Sequence, residues 1–258
     1  MLSQIWMASA LCAVALAAPS LAPGAAARPE EMKVLSQYFQ MLATKVQAGK
    51  MMGMVPVCDL SKAVLPVAAP TNLPLPSAGM SLKHVAIGRG TQNYTCSQTN
   101  ATAAPTAVGA VATLFNASCV ASTYPDLLAM IPKVALEFNM TANQKILSPS
   151  NLAISGQHYF TNLTTPLFDL DTTAMKLGVA PCQKNSSIPA PTDAPVGQNG
   201  LGLGAVPWLK LTTRSGATGD LAEVYRVNTA GGSPPKVCAG MPETFQVEYA
   251  AEYWFYES

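Results

Sequence analysis

Between residues 29 and 48 the apolar side chains Met32, Leu35, Phe39, Leu42 and Val46 recur at spacings of 3, 4, 3 and 4, one stripe of an α-helix. Pro29 suits the first turn, Glu30 and Glu31 favour its positive end, Lys45 lies near the last turn, and Gly49 offers a C-terminal stop. The pattern predicts one amphipathic helix packed on its own domain; lysine is too sparse for a membrane-surface helix. Pro56, Pro66, Pro70, Pro74 and Pro76 then rule out a helix and favour an extended connection over residues 55–81.

From residue 82 the period changes. Short β-rich runs at 82–96, 107–117, 157–162, 167–171, 176–183, 207–214, 222–229 and 244–256 are separated by Gly, Pro, Asn and Ser, with a further helical stretch at 124–146. They predict a mainly β fold, an antiparallel sandwich or barrel of about eight strands with one N-terminal amphipathic helix. In the last run Phe245, Val247, Tyr249, Ala251, Tyr253 and Phe255 alternate with a mainly polar face that includes Gln246, Glu248 and Glu252. In the first run Val85 and Ile87 point one way by parity and Tyr94 and Cys96 the other, which a bulge at Gly88-Arg89-Gly90 would reconcile.

The apolar stretch from Ile5 to Ala18 is too short to span a bilayer and offers a signal-peptidase site at Ala15-Leu16-Ala17. The expected organisation is a signal peptide at 1–17, an N-terminal segment at 18–54 carrying the helix, the connection at 55–81 and a β domain at 82–258. Asn93, Asn100, Asn116, Asn139, Asn162 and Asn185 each open an N-x-S/T sequon, six among eleven asparagines where chance supplies roughly two. The excess supports a secreted glycoprotein, extracellular or wall-associated, with the sequons on its surface. No second apolar run of membrane-spanning length follows, and the C-terminus lacks a lipid-anchor signal. Beyond the signal, Cys58, Cys96, Cys119, Cys182 and Cys238 allow at most two disulfides and leave one thiol over.

Charge narrows the partners. A net charge of +1 gives no electrostatic case for nucleic acid or an anionic membrane surface, and with 49% apolar against 11% charged residues there is ample material for a core.

The segments GRGTQNYTC (88–96), AVATLFNAS (110–118), HYF (158–160), VPWLKL (206–211), VYRVNTAGG (224–232) and VEYAAEYWFY (247–256) resemble a secreted family of unknown function found in fungi and bacteria. The likeness spans roughly residues 55–257. It implies a mostly β fold, no assigned chemistry, a disulfide between Cys96 and Cys238, a second between Cys58 and Cys119, and Cys182 as the odd thiol. Fungal members are often catalogued as malate dehydrogenases, which the residues do not favour. Gly200-Leu-Gly202-Leu-Gly204-Ala205 matches a dinucleotide fingerprint literally, but no strand precedes it, and Val206-Pro207-Trp208 prevents a normal helix after it.

Other chemistries lack their parts. With two histidines, His84 and His158, and no C-x-x-C or H-x-x-x-H, no metal site and no cofactor is expected. There is no G-x-S-x-G elbow. Asp169 and Asp171 would share a strand face about 6.6 Å apart, a spacing that suits glycoside cleavage, a turn or a weak calcium site. Glu248 and Glu252 would lie about 13 Å apart on a solvated face.

The candidate ligand-binding residues are His158, Arg226, Trp254 and Tyr256: a histidine in a family motif, an arginine able to recognise an anion or to pair with an acid, and two aromatics able to form a platform. The favoured reading is a non-catalytic extracellular domain that binds a ligand such as a carbohydrate wall polymer, a small molecule or a protein. The alternative is a secreted enzyme, a hydrolase before a dehydrogenase, with a site assembled around His158, Asp169, Asp171 or Arg226.

Overall fold

The computed structural model describes residues 29–52, 58–68, 70–139, 145–197 and 203–258. The expected signal peptide at 1–17 lies outside the described residues, as do Gly200-Leu-Gly202 of the glycine string. Helix α1 (Pro29–Met52) precedes a 3-10 turn at Leu60–Lys62, strands β1 (Ser81–Thr95) and β2 (Thr106–Asn116), and helices α2 (Ser118–Thr123) and α3 (Pro125–Leu136). Then come β3 (Ile146–Leu147), β4 (Leu152–Asn162), β5 (Thr165–Asp171), β6 (Lys176–Ile188), β7 (Trp208–Thr213), β8 (Leu221–Gly231) and β9 (Thr244–Glu257).

All strand pairs are antiparallel, in the order β2-β1-β9-β8-β7-β6-β5-β4-β3, and a further ladder between β2 and β4 joins the ends of the sheet. Eight strands therefore close into an up-and-down barrel, which leaves no long unpaired edge. The short β3 pairs with β4 outside the ring. Residues 117–136, part of which was expected to be helical, form α2 and α3 in the crossover from β2 to β4.

Two cores share the barrel wall. Phe168, Leu170, Leu211, Val224, Tyr253 and Phe255 fill the interior. Outside, Leu128, Ile131 and Val134 of α3 cover Ile87, Tyr225, Val227 and Trp254. The strands β1, β8 and β9 are thus buried on both faces, and this corrects two expectations. Opposite parity in β1 needs no bulge, because Val85 and Ile87 pack outwards under the helices while Ala86 packs inwards; β1 runs in register from Ala86 to Asn93. Glu252 is not on a solvated face: it is 0% exposed, and Asn228 Nδ2 and Trp254 Nε1 donate to its two oxygens at 2.7 and 2.9 Å.

Helix α1 continues through Gly49, so that glycine is no stop. Its packed face is also rotated by one residue. Val34 and Tyr38 are buried with Leu35, Met41 and Leu42 beside them, whereas Met32, Phe39 and Val46 stay exposed. Burial of Val34 and Tyr38 against the core goes with this facing, and on the same side Lys45 pairs with Asp126 of α3 at 2.7 Å.

The proline-rich connection is a strap across β7 and β8. The Tyr225 hydroxyl donates to the Pro74 carbonyl at 2.9 Å, Lys210 Nζ to the Leu75 carbonyl at 2.9 Å, and the Ser77 hydroxyl to Glu223 at 2.6 Å. Lys210 and Glu223 form a buried ion pair at 3.0 Å beneath it. Two disulfides staple the rest: Cys58–Cys119 with Cα atoms 4.5 Å apart and Cys96–Cys238 at 5.4 Å. They point to an extracellular or otherwise oxidising compartment. Among the described residues no helix is long and apolar enough to cross a membrane.

Candidate functional site

The inward positions of the segments 88–96, 158–160, 224–232 and 247–256 meet in one half of the barrel interior. This half ends at the loop segments 96–105, 189–197, 203–207 and 232–243, two of which are joined by Cys96–Cys238. Strand alternation turns Gln92 and Tyr94 of β1, His158 of β4, Arg226 of β8, and Tyr249 and Tyr253 of β9 towards one another. Gly88 makes this possible, because a Cβ there would collide with the Tyr253 ring. At the other boundary Gly231 and Gly232 adopt φ of 63° and 92°, and the Gly232 carbonyl accepts from the Tyr94 hydroxyl at 2.7 Å.

The His158 ring stacks on Phe168 with centroids 4.2 Å apart and lies 5.7 Å from Tyr253. Its Nδ1 sits 3.0 Å from the Leu167 carbonyl, which can only accept, so Nδ1 carries the proton and Nε2 is left as the acceptor. Burial above all, opposed by the hydrogen bond to Leu167 and helped by the Arg226 charge, brings the His158 pKa down to about 4, so the ring is neutral at pH 7. Tyr249 and Tyr253 share a hydroxyl hydrogen bond of 2.8 Å, and burial raises both pKa values. Tyr94 is likewise raised to about 12 by burial. Arg226 Nε and Nη2 donate to the Pro207 carbonyl at 3.2 and 2.9 Å.

The other candidates lie elsewhere. Trp254 and Tyr256 are 1% and 8% exposed on the outer face of β9, beneath the helices and the strap, so they offer no platform for a ligand. Asp169 and Asp171 alternate with the interior residues Phe168 and Leu170 and therefore lie across the barrel wall from His158. Both serve local backbone: Asp169 Oδ1 accepts from the Asp171 N–H at 2.9 Å, and Asp171 Oδ1 from the Gly178 N–H at 2.9 Å. Glu248 pairs with Arg89, whose Nε also donates to the Ala135 carbonyl in the last turn of α3.

His84 is held between the Ser155 and Ser118 hydroxyls, each at 2.9 Å, and burial lowers its pKa to about 4. This pairing cannot act as a nucleophile and base, because Ser155 is fully buried. Cys182 is unpaired inside the barrel, its thiol pushed up to about 12 by burial. After the glycine string comes an isolated bridge from Ala205 to Gly232 and then β7, with no helix to meet a pyrophosphate. Among the described residues no group of three or more His, Cys, Asp or Glu could hold a metal ion. A surface cleft of about 150 Å³ lies outside the barrel, between Pro132, Lys133, Asp193, Trp208 and Asn228.

Gln92, Tyr249 and Tyr253 were not among the sequence candidates. Parity had assigned the two tyrosines to a core, and a closed barrel turns that core into a shared interior. The available signal was Gln92, a polar residue of the same parity as Gly88, Gly90 and Tyr94.

Fold and interior together define a closed antiparallel barrel with a polar and aromatic cluster buried at one end. Residues 76–257 match the family described as "Protein of unknown function (DUF3455)", and the chain belongs to that family. No curated protein and no solved structure matches the chain.

Proposed function

We propose that this chain is a secreted, non-catalytic binding protein that takes a small ligand into the end of the barrel lined by Gln92, Tyr94, His158, Arg226, Tyr249 and Tyr253. The observation that carries the reading is the cluster itself. Aliphatic side chains would fill an eight-stranded barrel at less cost than buried hydroxyls, an imidazole, a carboxamide and a guanidinium. Binding barrels combine a largely apolar wall with a few placed polar groups, which is the composition found here.

The two disulfides and the sequons support an extracellular setting. A wall polymer stacked on Trp254 and Tyr256 is not part of the proposal, since both rings are covered. The enzyme alternative loses its carboxylates, because Asp169 and Asp171 are outside the wall that His158 and Arg226 line.

A thermal-shift screen of the purified protein against small acids, amides, sugars and nicotinamide cofactors tests the proposal. A compound that binds only the native state raises the melting temperature in a concentration-dependent way. The expected result is a shift with a small molecule that Tyr253→Phe reduces. A shift that only oligosaccharides produce, unaffected by that variant, would overturn it.

A further inference from the structure

We infer that the ligand is a small monocarboxylate whose charge neutralises Arg226, an inference that rests on the binding reading above and names its ligand class. Arg226 is 8% exposed and forms no ion pair with a described carboxylate. The other buried cations differ: Arg89 is paired with Glu248 and Lys210 with Glu223. A buried charge without a partner carries a large desolvation cost, so an unneutralised guanidinium inside a barrel marks where a charge from outside belongs.

The titratable groups that its charge reaches are Tyr94 on β1, His158 on β4 and Tyr249 and Tyr253 on β9, and none is an anion at neutral pH. Burial keeps the Tyr94, Tyr249 and Tyr253 hydroxyls protonated and His158 neutral. Among the described residues Arg226 thus has no carboxylate to neutralise it.

Gln92 is the second, independent observation. It is 8% exposed, and its Nε2 is buried with no hydrogen bond of normal geometry, only a loose approach to the Tyr249 hydroxyl that lowers that group's pKa. An orphaned donor beside an unpaired guanidinium calls for an acceptor that carries negative charge. A carboxylate meets both demands, since its two oxygens can accept from the guanidinium and the amide together. A phosphate dianion would leave one charge unbalanced, because His158 is neutral, so phosphate would enter only as its monoanion. A sugar would leave Arg226 unpaired. Phe168, His158 and Tyr253 pack against one another in the same interior, so the smallest carboxylates, formate and acetate, are the first probes.

Titration of the full-length secreted protein at pH 7 and constant ionic strength, following the Arg226 Nε–H and His158 ring resonances, tests the inference. Formate, acetate and propionate are compared with acetamide and inorganic phosphate. Acetate is expected to saturate the shifts with at least about tenfold higher affinity than acetamide, the preference a charge-assisted pair supplies. Arg226→Gln should abolish saturation and Arg226→Lys restore part of it; Gln92→Leu, which keeps the charge, should weaken acetate about fivefold.

Equal affinity for acetate and acetamide on the wild-type protein overturns the inference, whether or not the arginine variants fold. In that case, or if only neutral compounds or phosphate move the resonances, the binding barrel stands without its carboxylate. If no compound moves them, both readings fall.

Discussion

At the residue scale, Arg226 and His158 are the two sequence candidates that the fold brings together. The Arg226 charge lowers the His158 pKa in addition to burial, whereas burial alone lowers that of His84. Arg226→Gln should therefore raise the His158 pKa above about 4, still below the ordinary 6.5 because burial remains the larger cause, and leave His84 where it is. A histidine NMR titration reads both, and a His158 value unchanged by the substitution would contradict the coupling. The sequons divide in the same residue-by-residue way. Asn100 and Asn162 are exposed, and each Oδ1 accepts from its sequon's own threonine hydroxyl, at 2.8 and 3.0 Å, which leaves Nδ2 free. Asn116 differs, because its Nδ2 donates to Met175 Sδ and its sequon's Ser118 hydroxyl is buried against His84. Glycopeptide mapping should find glycans at Asn100 and Asn162 and none at Asn116 in folded protein.

At the scale of elements, the strands were legible and the partners of their outer faces were not. Alternation located β1, β2 and β4 to β9, missing five residues where β4 starts at Leu152 and where β6 runs to Ile188, and one or two at other ends. It could not show that α3 covers β1, β8 and β9, and so it read Glu252 as solvated and asked for a bulge at Gly88-Arg89-Gly90. Helix α1 was legible in extent but not in facing, because the core surface that Val34 and Tyr38 meet is built by elements that no local pattern connects to it. Arg89 is the joint at this interface, donating to the Ala135 and Phe138 carbonyls at the end of α3 and pairing with Glu248. Arg89→Met leaves those carbonyls without their donor, while Glu248 is exposed enough to be solvated, and is expected to cost about 2–3 kcal/mol in denaturant unfolding. A loss below about 1 kcal/mol would mean that α3 does not depend on this contact.

At the scale of the whole molecule, closure of the barrel by β2 and β4 was the step least visible beforehand, since "sandwich or barrel" differ only in that long-range pairing. Closure also made Gln92, Tyr249 and Tyr253 neighbours of Arg226. The buried titratable groups then set how stability depends on pH. His84 and His158 have folded pKa values of about 4 against an ordinary 6.5, so the stability tied to their neutral forms is present above pH 6.5 and lost as pH falls towards 4. Burial raises Glu252 from 4.5 to about 7, so its contribution is present below pH 4.5 and lost as pH rises towards 7. Two histidines outweigh one glutamate between pH 4.5 and 6.5, and stability should peak near pH 6.5. Glu252→Gln should steepen the rise over that window about twofold and remove the fall above it. Chemical unfolding across the pH range checks this, and an unchanged profile in the variant would contradict it.

The claim that the barrel takes a ligand at the Arg226 end is tested most directly by its two histidines, one beside the proposed site and one among Ser118, Ser155 and Phe255. The protein with labelled histidine rings gives two signals, recorded while acetate is added. The His158 signal is expected to move and saturate while that of His84 stays still. Movement of both together, or of His84 alone, would contradict it.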